Sequence, residues 1–582
     1  MNKFLFHILS ITIFTWLTYA YIIWKGGFVI DDIEGIANYD GVLPKDACYG
    51  AWMKWFRYKV AGKSPRHHHF FNVILKNTCA IMLYFFLNNI IGSQLSFLTT
   101  MLFVVAPVGT QAVAWVSGIG YLIGLFMGLM ALQIPYLAIP NTFGFNIILY
   151  ALFTVLAIIG NFTLLATFLI TLFLGHYPYV LIGALISIFL GVKIVKQTIA
   201  LRTVVFKEQN MANSTTFKWR KFIVAVKTLL YYTLLAVFPT KMGLYHKWGF
   251  HYEPQIEQED NRFWLGVLLL IGFGVLFYYG DFIIRFGIIW YFSFIFIFLN
   301  WITIHQFVSE RYVYIASIGL WIILAKFLTP YPVLYAFILG LYLMRTWQQL
   351  PAYQNEITFY QSNVWNFPQS EVALGNLGAV YMKCGLGGSA VDMWNVAIRI
   401  NPQYDVAYYN IYSALKAQKQ WQMARQHLVK SIESPLSHFK DRWIKELAGL
   451  DREVIYDNIL NSLIQRKEWQ NIKKFIFDTL VNQEKTPTYD DSLQEKVFQE
   501  RLQKELEGLY DMQFQELQNQ GKLDDMKQFL IATIGEQTQT PIYKDPNNEN
   551  KFKEKLQKHL QFIEGEITKF KLYGGTDEKK TT

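Results

Sequence analysis

Residues 4–32 read FLFHILSITIFTWLTYAYIIWKGGFVIDD, an apolar run of the length that crosses a bilayer, followed closely by two adjacent acids. The run at 4–24 predicts one transmembrane helix, so Asp31 and Asp32 are expected within a few residues of the membrane surface. Two neighbouring carboxylates repel each other and lose hydration at that depth. They either mark the turn that ends the helix or serve a function, and we favour the second interpretation.

The composition predicts a multi-span membrane domain followed by a water-soluble domain. Hydrophobic residues make up 53% and charged residues 16%. Apolar runs fill roughly the first 346 residues, and the chain then becomes charged and rich in Gln. The stretch 142–175 exceeds one helix and is tilted, broken or paired; counted as one pass, it gives about eleven spans. These are predicted at about 4–24, 70–91, 95–116, 119–138, 142–175, 177–196, 222–240, 262–280, 283–305, 311–328 and 330–346.

The basic residues predict the topology. Seven Lys or Arg against one Glu in the loop 193–221 indicate a cytoplasmic loop. With a cytoplasmic N-terminus, this arrangement leaves Asp31–Asp32, Ser309–Arg311 and all residues after 346 outside. We therefore expect an integral protein of a bacterial inner membrane, with the endoplasmic reticulum as the alternative. The net charge of +10 is scattered, which argues against nucleic acid as a partner.

The soluble part carries a repeat. Ala373 and Ala407, and likewise Ala390 and Ala424, are 34 residues apart, the period of tetratricopeptide helix pairs. A plain helical bundle is the alternative. We predict an all-α protein with four parts: 1–346 membrane domain, 347–482 tetratricopeptide-like repeats forming an α-solenoid, 483–572 helical extension and 573–582 disordered tail.

Several motifs, taken in order, resemble one family. After Phe-Val-Ile-Asp-Asp at 28–32 come Pro65–Asn72 (PRHHHFFN), Pro107–Gly118 (PVGTQAVAWVSG) and Glu310–Gly319 (ERYVYIASIG). Together with the repeats, this order resembles the TMTC-type membrane O-mannosyltransferases and their bacterial relatives, which belong to the GT-C class of glycosyltransferases. The resemblance covers nearly residues 1–435, and it implies a polyprenyl-phosphate sugar donor.

The chain also departs from the family pattern. Ala106 and Gly109 stand where histidines are usual, and Gln111 replaces the usual acid. Ile119 and Tyr121 replace an Arg and an Asp. These changes remove charge from the predicted outer face, where a donor phosphate would bind.

The chemistry of sugar transfer indicates candidate site residues. A base must take a proton from the acceptor hydroxyl, and we expect Asp31 or Asp32 to do so, with Asp31 preferred. The other carboxylate would hold the acceptor or a divalent cation. Donor phosphate binding is assigned to His69 and Arg311, with Tyr312 and Tyr314 as hydroxyl donors and Arg66 as a further candidate. Arg311 is alternatively an interfacial anchor.

The histidine run 67–69 and the scattered Cys48, Cys79 and Cys384 do not form the pattern of a zinc site, so no resident metal is predicted.

Three functions follow from these patterns. The first is a glycosyltransferase that moves a sugar from a lipid carrier to a protein acceptor outside the cytoplasm, with the repeats binding the acceptor or a partner. The second is a catalytically degenerate relative that serves as a membrane-anchored scaffold in a larger complex. The third, a transporter, is disfavoured because intramembrane charge is sparse and no repeat of the spans is visible.

Overall fold

The fold is described by a computed structural model, and the described residues contain helices and no strand. The structure describes residues 3–39, 55, 57–137, 143–208, 219–244, 246, 259–301, 308–434, 440–466, 469–483, 492–539 and 546–573. Two units divide the chain, Met1–Ala407 and Tyr408–Thr582. The all-α prediction is confirmed for this part of the chain.

The first unit contains the apolar helices. Its helices are α1 (Lys3–Lys25), α2 (Pro65–Ile91), α3 (Ser93–Val105), α4 (Thr110–Ala114), α5 (Ile119–Gln133), α6 (Phe143–Gly160), α7 (Thr167–Phe173), α8 (Tyr177–Glu208), α9 (Trp219–Val237), α10 (Asn261–Tyr279), α11 (Phe282–Ile295), α12 (Glu310–Val313), α13 (Ser317–Leu328), α14 (Pro332–Gln349), α15 (Glu356–Asn366), α16 (Glu371–Lys383) and α17 (Gly387–Ile400).

Five segments among the described residues are long and apolar enough to cross a membrane, which indicates a membrane protein. They are Lys3–Lys25, Pro65–Ile91, Val116–Tyr136, Tyr177–Ile194 and Asn261–Tyr279. A sixth results if the two helices of Ser93–Val105 and Pro107–Ala114, bent by 59°, count as one span.

Several of the remaining predicted spans coincide with helices too short to cross alone. Ser317–Leu328, for example, covers only about 18 Å at 1.5 Å per residue, against a hydrocarbon core of about 30 Å. The count of eleven spans therefore stays a prediction.

The long stretch 142–175 is broken. The helix α6 ends at Gly160, and Asn161 then caps a 3₁₀ turn by accepting a hydrogen bond from the Thr163 backbone N–H at 3.0 Å. A Cβ atom on Gly160 would lie 2.8 Å from the Gly124 nitrogen of α5, so only small residues allow this contact. Of the three geometries left open for this stretch, the structure adopts the broken one.

A continuous apolar core runs through the first unit. It joins buried residues of α1 to α3 with those of α11, α13 and α14, and it extends to Phe359 of α15 and Leu377 of α16. The core thus continues past residue 347, where the composition changes. The predicted boundary at residue 347 was placed where the composition changes, and such a change does not have to coincide with the end of a packed core. The predicted domain boundaries therefore stay predictions.

The second unit is built from the helices after residue 407. They are α18 (Asp405–Ala417), which begins just before it, α19 (Trp421–Glu433), α20 (Lys440–Gln465), α21 (Trp469–Gln483), α22 (Ser492–Asn519), α23 (Leu523–Gln539) and α24 (Pro546–Tyr573).

Two apolar clusters hold this unit, one around Tyr412 and Trp443 and one around Leu502 and Leu530. In addition, Arg501 of α22 forms ion pairs with Glu453 and Asp457 of α20. The predicted tail 573–582 lies outside the described residues, apart from Tyr573.

The contact between α11 and α13 yields a test of this packing. A Cβ atom on Gly319 would lie 2.6 Å from the Tyr291 nitrogen and closer still to the Gly287 oxygen. Because backbone cannot move aside as a side chain does, we expect Gly319→Val to lower the free energy of unfolding by about 1–3 kcal/mol. Thermal unfolding in detergent measures the loss. Gly340→Val, at an exposed position with open space around it, is the control; an equal loss in both variants would contradict the packing.

Candidate functional site

The four predicted motifs meet in the first unit. Gly27, directly before the first motif, accepts a hydrogen bond from His69 Nε2 at 3.1 Å, and Asn72 Nδ2 donates to the Val113 oxygen at 3.0 Å. Gln111 Oε1 accepts from the Arg311 backbone N–H at 3.0 Å. Motifs that are up to about 280 residues apart along the chain therefore lie next to one another in the fold.

A fifth segment, 350–354, joins them. The Gly27 N–H donates to the Tyr353 oxygen at 3.0 Å, and a Cβ atom on Gly27 would overlap the Gln354 oxygen. A Cβ atom on Gly26 would lie 2.7 Å from His69 Nε2. Both positions therefore require glycine, because the segments that carry His69 and Gln354 lie too close to the backbone to leave room for a side chain.

Asp32 is fully buried at the centre of this arrangement. Its Oδ1 accepts hydrogen bonds from the Ser117 backbone N–H at 2.7 Å and from Ser117 Oγ at 2.5 Å, and its Oδ2 accepts from the Val29 N–H at 3.3 Å. Ser117 is itself exposed, so a single residue separates the carboxylate from the surface. Ile30 has φ of 51°, a left-handed conformation that β-branched residues rarely adopt.

Burial controls the protonation of Asp32. Loss of hydration raises the pKa of its carboxyl to about 6, although the hydrogen bonds from Ser117 and Val29 and the charge of Arg57 act in the opposite direction. A carboxyl with this pKa exchanges its proton near neutral pH, as a general base must. Asp31, in contrast, is exposed.

Arg57 is the cation that accompanies Asp32. It is buried, and its Nη2 donates to the Val116 oxygen at 2.7 Å, beside Ser117. Burial lowers the pKa of this guanidinium to about 10, while the Asp32 charge acts to raise it. Sequence reasoning missed Arg57, because it lies outside the four motifs.

Arg311 is held by aromatic groups. Its guanidinium carbon lies 4.8 Å from the centre of the Trp115 ring and 5.4 Å from that of Tyr312, and its side chain hydrogen-bonds to Tyr121 and Tyr312. Its Nη1 has no hydrogen-bond partner among the residues that the structure describes. Arg311 is half-buried with its guanidinium against aromatic rings, and both its assignment to the donor phosphate and the alternative of an interfacial anchor stay predictions.

The two tyrosines of the motif have different surroundings. Tyr312 stacks on Phe298, with ring centres 4.2 Å apart, and bonds to Arg311. Tyr314 lies on the other side of the motif, where its hydroxyl accepts a hydrogen bond from the buried Lys76 Nζ at 3.3 Å. Tyr312 thus belongs with Arg311, and Tyr314 with Lys76.

Glu310 adds a second buried acid. Its Oε1 accepts a hydrogen bond from the Gly243 N–H and lies 3.7 Å from His246 Nε2. Nδ1 of His246 is in turn 2.6 Å from the Tyr231 hydroxyl. Glu310 therefore pairs with His246 instead of simply neutralising Arg311.

The hydroxyl of Tyr353 is influenced by three charged residues of the site. Tyr353 is buried, and the charges of Glu310, Arg311 and Asp32 all act on its hydroxyl, in that order of strength. Burial raises the pKa of Tyr353 well above its usual value.

In the described part of the chain, this hydroxyl has no hydrogen-bond partner, and neither do His69 Nδ1, the Tyr19 hydroxyl and Glu310 Oε2. Buried polar atoms without partners are rare and indicate a place where a ligand or water binds.

Tyr19, Gln111, Glu310 and Tyr353 were not predicted as site residues. Gln111 carried a signal, since it stands at the position of the usual acid. Tyr19 and Tyr353 are aromatic residues in or next to apolar helices and carried none.

Within the residues described here, no group of three or more metal-ligating side chains occurs. A divalent cation at Asp31 and Asp32 stays a prediction.

Models of known protein families and the curated proteins were both searched with this chain, and neither search gave a match.

The raised pKa of Asp32 predicts that the stability of the folded protein depends on pH. Its pKa is about 6 in the folded protein against 3.8 for an ordinary aspartate, so its ionised form opposes folding above pH 6. As pH falls from 6 to below 4, this cost disappears. We expect wild type to gain roughly 3 kcal/mol relative to Asp32→Asn over that range, at about 1.4 kcal/mol per pKa unit.

Thermal unfolding of both proteins between pH 4 and pH 8 checks this expectation. The exposed neighbour Asp31→Asn is the matched control for the loss of one carboxylate. A stability difference between wild type and Asp32→Asn that does not change with pH would contradict the burial argument.

Proposed function

We propose that the chain is a GT-C-like membrane glycosyltransferase, related to the TMTC-type family, that moves a sugar from a polyprenyl-phosphate carrier to a protein acceptor. In this proposal about eleven spans form the membrane domain, and tetratricopeptide-like repeats on the non-cytoplasmic side bind the acceptor or a partner. The membrane is a bacterial inner membrane, or alternatively that of the endoplasmic reticulum.

The observation that carries the proposal is the convergence of acids and cations on one buried centre. The motif 107–118 joins the acid to the cations, because Asp32 accepts hydrogen bonds from Ser117, the Arg311 backbone N–H donates to Gln111, and Arg57 donates to the Val116 oxygen. Sugar transfer requires a base and a cation within reach of the same substrate. Unpartnered polar atoms in the described part of this centre, such as Arg311 Nη1 and Tyr353 Oη, are free to bind an anionic ligand.

The reaction follows from these groups. The acceptor hydroxyl attacks the anomeric carbon of the donor, a new glycosidic bond forms, and the bond between that carbon and the phosphate oxygen breaks. The hydroxyl proton passes to Asp32, and polyprenyl phosphate leaves with the bonding electron pair. We assign the base to Asp32 instead of Asp31 because its raised pKa suits proton exchange near neutral pH.

Arg311 and Arg57 then act on the leaving phosphate. Guanidinium groups bind phosphate through paired N–H donors, and burial strengthens this attraction. The stacking of Arg311 on Trp115 holds its side chain in one direction, so little side-chain freedom is lost on binding. His69 Nε2 donates to the Gly27 oxygen, so Nδ1 of the neutral ring is an acceptor, and only a protonated His69 would donate to the phosphate.

The repeat proposal is supported by burial. Ala373, Ala407, Ala390 and Ala424 are all fully buried, in two pairs that are 34 residues apart. Trp394 Nε1 donates to the Gly375 oxygen at 3.0 Å, and a Cβ atom on Gly378 would overlap the Trp394 ring. Small residues at matching positions allow helix pairs of this kind to pack closely.

Substitution of the acids tests the transferase. We expect Asp32→Asn to reduce glycosylation of surface proteins at least 100-fold, because removal of a general base typically costs 10²–10⁴-fold in rate. Asp31→Asn, which removes the same charge at an exposed position, is the control and is expected to retain most activity. Activity of wild type should rise with pH through about 6 and then level off.

Each variant is expressed in a strain that lacks the chromosomal copy. The assay measures the transfer of labelled sugar to surface proteins in membranes of that strain. Full activity in Asp32→Asn, at normal expression, would exclude Asp32 as the base.

A second candidate function is a catalytically degenerate scaffold. The observation that favours it is the full burial of Asp32 and its three hydrogen bonds to Val29 and Ser117, an arrangement that also suits a purely structural turn.

The scaffold hypothesis predicts that the full chain copurifies with other proteins in a fixed ratio. It also predicts that Asp32→Asn leaves both that ratio and cellular glycosylation unchanged. Mass analysis of the purified complex checks the ratio, and loss of glycosylation with an intact complex would favour the transferase.

A further inference from the structure

A cleft between α1 and α2 lies apart from the residues assigned to the transfer reaction. Its volume is about 420 Å³, and its apolar wall consists of Trp16, Ala20, Ile23 and Trp24 of α1 and Phe70 of α2. Trp16 and Phe70 contact each other, with ring centres 5.6 Å apart. Trp16 and Trp24 are eight residues apart, so the wall extends about 12 Å along α1.

The polar end of the cleft is basic. Arg66 and His67 line it, and the Arg66 guanidinium carbon lies 3.7 Å from the centre of the Trp24 ring. Arg66, Lys25 and Lys63 are exposed at this end, and none of them forms an ion pair with a carboxylate in the described structure. The cleft thus combines an apolar wall with exposed basic residues that form no ion pair within the described part of the chain.

The position of the cleft in the chain identifies the ligand class. Lys25 ends α1, and Arg66 is the second residue of α2, and both helices are long and apolar enough to cross a membrane. Exposed tryptophan and arginine at the end of a spanning helix lie at the depth of lipid headgroups. The apolar wall then lies at the depth of the acyl chains.

We infer that this cleft binds an anionic phospholipid, with its phosphate against Arg66 and one acyl chain along the wall between Trp16 and Trp24. A soluble phosphate would leave the apolar wall unused. A zwitterionic lipid would add a second cation next to Arg66, Lys25 and Lys63. The inference does not depend on the transfer reaction, and Arg66, earlier a candidate for the donor phosphate, is assigned to this cleft instead.

Native mass spectrometry of the delipidated full-length protein in detergent tests the inference. The probes are dioleoyl-phosphatidylglycerol, dioleoyl-phosphatidylcholine and inorganic phosphate. For wild type we expect about tenfold tighter binding of phosphatidylglycerol than of phosphatidylcholine, because the choline cation is repelled by Arg66, Lys25 and Lys63 while phosphatidylglycerol carries no cation. Inorganic phosphate is expected to give no adduct.

Two variants separate the parts of the site. Arg66→Gln should reduce phosphatidylglycerol binding about tenfold, to the level of phosphatidylcholine. Ala20→Phe fills the cleft and retains Arg66, so it should weaken the binding of both lipids. The control is Arg285→Gln, which removes a cation at the end of another apolar helix, where Arg285 binds backbone oxygens.

Phosphatidylglycerol binding that is unchanged in Arg66→Gln would overturn the inference, as would an equal loss in Arg285→Gln. Binding of inorganic phosphate as tight as that of the lipid would show a site for soluble anions and would likewise overturn it.

Discussion

The hydrogen bonds from Ser117 to Asp32 are the interaction on which the site depends. A carboxylate buried near a membrane loses hydration, and only close donors and a nearby cation compensate for that loss. Ser117 supplies two donors, and Arg57, bound to the neighbouring Val116 oxygen, supplies the charge. This requirement joins the end of α1 to the segment before α5.

The other segments are held by the same kind of requirement. His69 and Tyr353 satisfy the backbone of the Gly-Gly turn, and Gln111 binds the Arg311 backbone. Several polar groups at this end of the apolar helices have partners on segments distant in the chain. The buried atoms without a partner in the described structure include the Tyr353 hydroxyl and Arg311 Nη1. The hydrogen bonds that hold the segments together and the proposed ligand position therefore belong to one network.

Positive charge has two separate uses in this arrangement. Arg57 is buried and accompanies Asp32, and Arg311 is half-buried and lies against aromatic rings. Arg66 is exposed over Trp24 at the opening of an apolar cleft. The first use suits a reacting phosphate, and the second suits the headgroup of a lipid that remains bound. Both groups belong to the outer side in the predicted topology.

The amino-acid sequence by itself determined the helical class and the apolar helices, and it indicated Asp31–Asp32 as candidate site residues, because hydrophobic length and the cost of charge near a bilayer are local properties. It could not decide which acid is buried, since Asp31 and Asp32 have the same chemistry and adjacent positions. Nor could it reveal Arg57 or Tyr353, whose roles arise only from segments that meet in space. Tertiary structure decided these points, because pKa and pairing depend on hydration and on neighbours that the chain order does not contain.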